Sequence, residues 1–121
     1  MKNYLAVFVG TSTSPKVVEF FAMEEAKRKK VEAAGIKAWG DWMAAHNSAI
    51  VGTGGPLGKT KRTTAQGIED TRNNLSGFVI VKAESHEAAA KMFENHPQFT
   101  IFPGDGVEVM EVLPIPGQAP N

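Results

Sequence analysis

The chain of 121 residues has the length of one domain, and its hydrophobic content of 42% is sufficient to form a core. Thirteen basic and thirteen acidic residues balance each other, which argues against a nucleic-acid partner because such proteins carry a basic excess. There is no cysteine, so disulfides, thiolate chemistry and cysteine-based zinc sites are excluded. No apolar run approaches the roughly 18 residues of a membrane span, and no signal peptide is evident. A cytoplasmic protein without a membrane partner is therefore expected.

The first third of the chain predicts a strand followed by a long helical segment. Residues 4–10 are branched or aromatic up to a closing glycine, which is typical of a strand. Ser14 and Pro15 suit the N-cap and first position of a helix expected over residues 16–34. Gly35 is expected to end or kink that helix. A second helix, or its continuation, then carries one apolar face: Ile36, Trp39, Trp42, Met43 and His46.

The middle of the chain predicts two strands with a polar segment between them. Residues 50–51 begin a short strand. The polar segment 53–74 contains residues 60–64 and Ile68, which predict an exposed β-hairpin. Residues 77–83 are the clearest strand, since branched and aromatic side chains follow one another.

The last third predicts a helix and a closing strand. Ser85 suits the N-cap of a helix whose apolar face reaches His96 and which Pro97 stops. Residues 99–102 are expected to be extended, and the alternating segment 107–113 is expected to be the last strand. We expect residues 1–113 to form a single domain, followed by a proline-rich tail over residues 114–121.

This order, β–α–β–hairpin–β–α–β, predicts an α+β fold: a ferredoxin-like sandwich with an added β-hairpin and its helices on one face of an antiparallel sheet. Residues 5–9 and 78–81 are apolar at both parities, so both faces of the sheet require cover. A second copy packing sheet to sheet is the simplest cover, and a homodimer through the sheet face is expected. The alternative is a monomer whose long loop folds over the sheet.

Several segments occur together in a distinctive order: Tyr4–Val9, Trp42 to His46, Gly55-Pro56-Leu57, Ser76–Val81, Glu87-Ala88-Ala89 leading to Asn95-His96-Pro97, and Val107–Val112. In these segments the chain resembles the YCII-related (DGPF-type) domain family of dimeric α/β barrels. The resemblance implies a ferredoxin-like protomer, a face-to-face dimer and a pocket between helix and sheet. It also implies a function that is unassigned in most members, some of which look like small-molecule enzymes with a suggested His–Asp catalytic pair.

The candidate pocket residues lie on the second helix and in the turn after it. Trp42, Gly55 and Pro56 are expected to line the pocket. His46 is the candidate catalytic acid/base, because an imidazole titrates near neutral pH. The alternative is a packed or helix-capping histidine. Asp41 lies five residues earlier, about 140° around the helix, and does not meet His46.

Charged residues of the polar segment are candidates for the pocket rim. Arg62 or Asp70 is expected there, and a basic cluster would bring an anionic ligand to it: Lys59, Lys61, Arg62 and Arg72. The alternative is a solvated hairpin. The segment Gly52–Thr60 is not a phosphate-binding loop, because Thr53 stands where that motif requires glycine.

The sequence as a whole predicts a small-molecule-binding, YCII-like homodimer of unassigned activity. The ligand is a small organic or anionic molecule, and no cofactor or metal site is predicted. Whether the protein is an enzyme stays open; if it is, His46 would assist a proton transfer. The alternative is a non-catalytic dimeric structural or regulatory module with no open site.

Overall fold

A computed structural model describes residues 1–117 of the chain. The strands are Lys2–Val9 (β1), Ile50–Pro56 (β2), Thr60–Thr64 (β3), Gly67–Thr71 (β4), Leu75–Ala83 (β5) and Gly106–Glu111 (β6). The α-helices are Pro15–Ala22 (α1), Glu25–Ala45 (α2), His86–Lys91 (α3) and Pro97–Thr100 (α4), and Asn47–Ala49 forms a 3-10 turn. Of the predicted tail, residues 114–117 are exposed and belong to neither a helix nor a strand, and residues 118–121 lie outside the described part. Within that part, no helix is both long and apolar enough to cross a membrane.

The main sheet has four antiparallel strands in the order β2-β5-β1-β6. This is the strand order of a ferredoxin-like sandwich, so the predicted α+β fold is confirmed. The predicted hairpin is also present, as a separate two-stranded sheet in which Thr60 pairs with Thr71 and Thr64 with Gly67. Gly67 has a φ of 118°, a conformation that favours glycine in the turn.

The core lies between the sheet and the helices. On β1 and β5, alternate residues form its floor: Tyr4, Ala6, Phe8, Val79 and Val81. Trp42, Ala89 and Phe93 pack onto that floor from the helices and their connections. The intervening strand residues project from the opposite face. On that face Phe78 and Ile80 are only half-buried, and Met110 is 41% exposed. Both parities are therefore apolar, as the sequence indicates, but the opposite face is covered less completely than the core face, with Val7 its buried member.

The predicted break at Gly35 is wrong. The chain breaks instead at Met23 and Glu24, whose extended backbone separates α1 from α2. Helix α2 then runs without interruption past Gly35, which is buried. A Cβ atom at Gly35 would collide with the ring of Phe102. Glycine is placed here for the close approach of that ring, and its freedom of backbone rotation is not used.

The region after β5 also differs from the prediction. Ser85 caps α3 as predicted, accepting a hydrogen bond from the Ala88 N–H at 3.0 Å. The helix ends at Lys91, however, and Pro97 begins a second short helix where an extended segment was expected. Proline fits the first position of a helix, because its missing N–H would have no partner there. His96 is the N-cap of this helix, α4.

Candidate functional site

A cleft of about 430 Å³ opens between helix α2 and the core face of the sheet. Four aromatic residues contribute to its lining, together with aliphatic side chains, glycine backbone and three uncharged polar residues. The lining residues are Phe8, Ile36, Trp39, Met43, Thr53, Gly55, Pro56, Ser76, Gly77, Phe78, Gln98 and Phe102.

The sheet side of the cleft depends on glycines where β2 pairs with β5. Gly77 pairs with Phe8 and Pro56, and a Cβ atom there would lie 3.3 Å from the carbonyl oxygen of Gly55. Gly54 has a φ of 59°, and a Cβ atom on it would collide with the carbonyl oxygen of Phe78. Because the strands meet through bare backbone here, there is room above the sheet for a ligand.

Trp39 forms the helix side of the cleft and is held in place by Gln98. Its indole N–H donates to Oε1 of Gln98 at 2.9 Å. Its ring packs edge-on against Phe8, with centroids 5.0 Å apart. Trp39 thus presents a fixed aromatic surface to the cleft.

His96 lies behind this wall and is fully buried. Its ring centroid is 4.4 Å from that of Trp39 and 4.8 Å from that of Phe8. Burial, and to a smaller extent the nearby His46, lowers the pKa of His96 to about 4. Its Nδ1 accepts the N–H of Gln98 at 3.0 Å, so the ring proton is on Nε2. That Nε2 is the one buried side-chain nitrogen or oxygen without a hydrogen-bond partner in residues 1–117.

No ionisable side chain is among the residues that line the cleft. His96, which packs against the lining residues Trp39 and Phe8, is neutral at pH 7. A charged ligand would lose its hydration in this cleft without meeting an opposite charge.

Gly55 and Pro56 lie in the cleft, where the sequence places them, but Trp42 does not. Trp42 is only 9% exposed, and its indole N–H donates to the carbonyl of Met92 at 2.9 Å. Its ring packs against Phe93 at 5.1 Å. The tryptophan that lines the cleft is therefore Trp39, which lies three residues before the predicted Trp42 on α2. Trp42 itself belongs to the core.

His46 is likewise not brought to the cleft. It is the C-cap residue of α2, and its Nδ1 donates to the carbonyl of Trp42 at 2.9 Å. The imidazole also packs against the Trp42 ring, with centroids 4.5 Å apart. This is the helix-capping alternative that the sequence left open. Asp41 pairs with Lys37 at 2.9 Å and not with His46.

Arg62 and Asp70 lie on the hairpin, away from the cleft. Cross-strand ion pairs hold them, Arg62 with Glu69 at 3.1 Å and Asp70 with Lys61 at 2.7 Å. Asp70 lines a second, wider groove of about 1,090 Å³ between the hairpin and the loop after β1, and Arg62 lines neither. The predicted rim is corrected because the hairpin forms its own sheet and pairs its charges internally.

Gln98 and Phe102 reach the cleft although no sequence motif points to them. Both lie in or just after α4, a helix that the sequence did not predict. Trp39 did carry a signal, because it shares the apolar face of Trp42. Helical periodicity does not decide which of two neighbouring tryptophans faces a cavity.

Comparison with known proteins supports the fold and little beyond it. No protein-family model matches the chain, and no curated protein matches it. Solved structures with a similar α+β fold do exist. One similar structure is 5-chloro-2-hydroxyhydroquinone dehydrochlorinase (TftG) from Burkholderia phenoliruptrix AC1100, in complex with 2,5-dihydroxybenzoquinone. The TM-score is 0.52 at 18% identity, and the match covers 88% of this chain and 89% of that one.

Proposed function

We propose that this protein binds small, neutral, planar aromatic molecules in the cleft between α2 and the sheet. The observation that carries the proposal is the composition of the cleft: aromatic and aliphatic walls, three uncharged polar side chains and no ionisable group. Aromatic side chains favour flat apolar ligands through burial and ring packing.

The size of the cleft fits one or two fused rings. Ligand pockets are usually about 300–1,000 Å³, and this cleft of about 430 Å³ is at the small end of that range. The fold itself is compatible with a ring-shaped ligand, since the similar dehydrochlorinase structure contains 2,5-dihydroxybenzoquinone. The shared fold also supports the proposal that the chain is a YCII-like protein.

The proposal is one of binding and does not include a reaction. Proton transfer assisted by His46 stays a prediction, and the residues that line the cleft give it no support. His46 uses Nδ1 to cap α2, and Trp42 lies against its ring. The presence of the cleft argues against the alternative proposal, a structural module with no open site.

Calorimetric titration with two naphthalene derivatives tests the proposal. 2-Naphthol is neutral at pH 7 and 2-naphthoate is an anion of similar shape. We expect 2-naphthol to bind and 2-naphthoate to bind at least tenfold more weakly, because no cation in the lining compensates its lost hydration. Absence of 2-naphthol binding would contradict the proposal, and so would a preference for the anion.

A matched pair of variants places the binding in the cleft. Ile36 lines the cleft and is 68% exposed, whereas Val18 on α1 is 61% exposed and outside the lining. Both can accept a charge at little cost to folding. Ile36→Glu should weaken 2-naphthol binding, and Val18→Glu should leave it unchanged. Equal effects of the two changes would place the ligand elsewhere.

We also propose that two copies associate through the open face of the sheet. That face carries the half-buried Leu5, Phe78 and Ile80. Large apolar faces are rarely left open on a monomer. Light scattering during gel filtration should give twice the mass of the 13.0 kDa chain. Ile80→Glu should halve that mass, and Thr63→Glu on the hairpin should not. A wild-type chain that is monomeric at micromolar concentration would contradict the proposal.

A further inference from the structure

The side-chain amide of Gln98 has a defined orientation in the cleft. An indole nitrogen can only donate a hydrogen bond, so the atom that Trp39 contacts at 2.9 Å must be the amide oxygen, Oε1. The amide nitrogen, Nε2, therefore occupies the other branch of the side chain. The flip that is usually ambiguous for glutamine is settled here by a donor-only partner.

The backbone of Gln98 is held on both sides as well. Its N–H donates to Nδ1 of His96 at 3.0 Å, and its carbonyl oxygen accepts the N–H of Gly104 at 3.0 Å. His96 is itself enclosed by aromatic rings of the core, including Trp39 and Trp42. With the backbone and Oε1 both fixed, Nε2 is preorganised before any ligand arrives.

The two N–H donors of Nε2 are available. The hydrogen bonds within residues 1–117 give Nε2 no acceptor, and it is not among the buried atoms that lack a partner. It is consequently accessible to solvent, and Gln98 is one of the residues that line the cleft. The hydroxyl of Ser76, by contrast, already donates to the carbonyl of Phe8 at 3.1 Å. Thr53 is exposed, so water competes for its hydroxyl.

We infer that Gln98 determines the specificity of the cleft and that the ligand is a neutral ring-conjugated carbonyl compound, whose oxygen accepts a hydrogen bond from Nε2. This inference rests on the proposed function, because it requires an aromatic ligand in the cleft. It adds the position of a polar group on the ligand. Trp39 and the apolar walls hold the ring, and Gln98 recognises the oxygen.

Two isosteric probes isolate the carbonyl oxygen. 2-Acetylnaphthalene and 2-isopropenylnaphthalene have the same shape and differ by an oxygen in place of a methylene group. We expect the wild-type protein to bind the ketone about three- to tenfold more tightly, which is the range of one neutral hydrogen bond. Calorimetry, or quenching of the tryptophan fluorescence, measures both affinities.

Variants of Gln98 separate its donor role from its support of Trp39. Gln98→Glu keeps an acceptor for the Trp39 N–H but has no amide donor, so the preference for the ketone should disappear or reverse. Gln98→Met removes both the donor and the acceptor, and we expect this variant to bind the ketone and the hydrocarbon probe with equal affinity. Gln66→Glu makes the same charge change on the exposed hairpin turn and should leave the preference unchanged. Thermal unfolding of each variant verifies that it is folded.

The outcomes distinguish this inference from the proposed function. Equal wild-type affinity for the two probes would overturn the role of Gln98 while leaving aromatic binding in place. A preference for the ketone that survives in both Gln98→Glu and Gln98→Met would also overturn it. Failure of the wild-type protein to bind either probe would overturn the proposed function and this inference together.

Discussion

Trp39 and Trp42 lie three residues apart on α2, yet their surroundings are opposite. Trp42 is 9% exposed and belongs to the buried core, with its N–H bonded to the backbone of Met92. Trp39 is half-buried, lines the cleft and has its N–H bonded to the side chain of Gln98. One tryptophan thus stabilises the fold, and the other forms a surface that a ligand can reach.

The difference follows from what lies opposite each ring. Trp42 faces Phe93 and His46, which close the space around it. Trp39 faces Phe8 and the pairing of β2 with β5, where Gly55 and Gly77 carry no side chain. The same residue type on one helix can therefore serve packing or binding, depending on the opposing strand. Three predictions test this contrast, and they run from the largest expected effect to the smallest.

Replacing each tryptophan by alanine should affect stability unequally. Trp42→Ala removes a buried ring and should lower the free energy of unfolding by about 3–5 kcal/mol. Trp39→Ala removes a half-buried ring and should cost about 1–2 kcal/mol. Urea denaturation measures both values. A loss for Trp39→Ala as large as that for Trp42→Ala would contradict the division between core and cleft.

Acidification should destabilise the folded protein through His96, the buried histidine that packs behind Trp39. The pKa of His96 is about 4 in the folded protein and 6.5 as its ordinary value, so the unfolded chain binds the extra proton between these pH values. Stability contributed by the neutral imidazole is present above pH 6.5 and is lost as the pH falls towards 4, by about 3 kcal/mol. Protonation would also remove the acceptor for the Gln98 N–H.

The variant His96→Asn isolates this effect, since asparagine can still cap α4 but does not titrate. The difference in unfolding free energy between wild type and variant should shrink as the pH falls from 6.5 to 4. A difference that is constant over this pH range would show that His96 does not titrate between the two states.

Two glycines of α2 offer a matched test of the cleft wall. A Cβ atom at Gly40 meets nothing within 4 Å, so Gly40→Ala should raise stability by about 0.5–1 kcal/mol through helix propensity. A Cβ atom at Gly35 collides with the ring of Phe102, which lines the cleft. Gly35→Ala should therefore lower stability by about 1–2 kcal/mol. Equal gains for both variants, measured by thermal unfolding, would show that Phe102 moves away freely.

The sequence predicted well the parts of the fold that local pattern controls. The strands have branched and aromatic side chains, and the ends of α1 and α3 are marked by Ser14 and Ser85, which cap those helices. The sequence did not show why glycine stands at position 35, because the cause is the close approach of the Phe102 ring, which is distant along the chain. The pattern likewise did not distinguish a proline that stops a helix from Pro97, which begins one.

The candidate site was predicted less well than the fold. Gly55 and Pro56 line the cleft, but they do so from the end of strand β2 and not from the turn that the sequence predicted. Trp42 and Trp39 are separated by only about 60° around α2, so periodicity assigns them to one face. The position of Gln98 in the cleft is set by its contacts with Trp39, His96 and Gly104. Trp39 is distant along the chain, and the spacing of the other two follows no helix or strand period.

The indole N–H resonances of the two tryptophans provide the most direct test of the central claim. In a ¹⁵N-labelled protein, each indole gives one signal, and Trp39→Phe assigns them. On titration with 2-naphthol, the account predicts that the Trp39 signal shifts progressively while the Trp42 signal stays near its original position. A shift of Trp42 alone would contradict the account, as would shifts confined to backbone amides of the hairpin groove, such as Lys61 and Arg72.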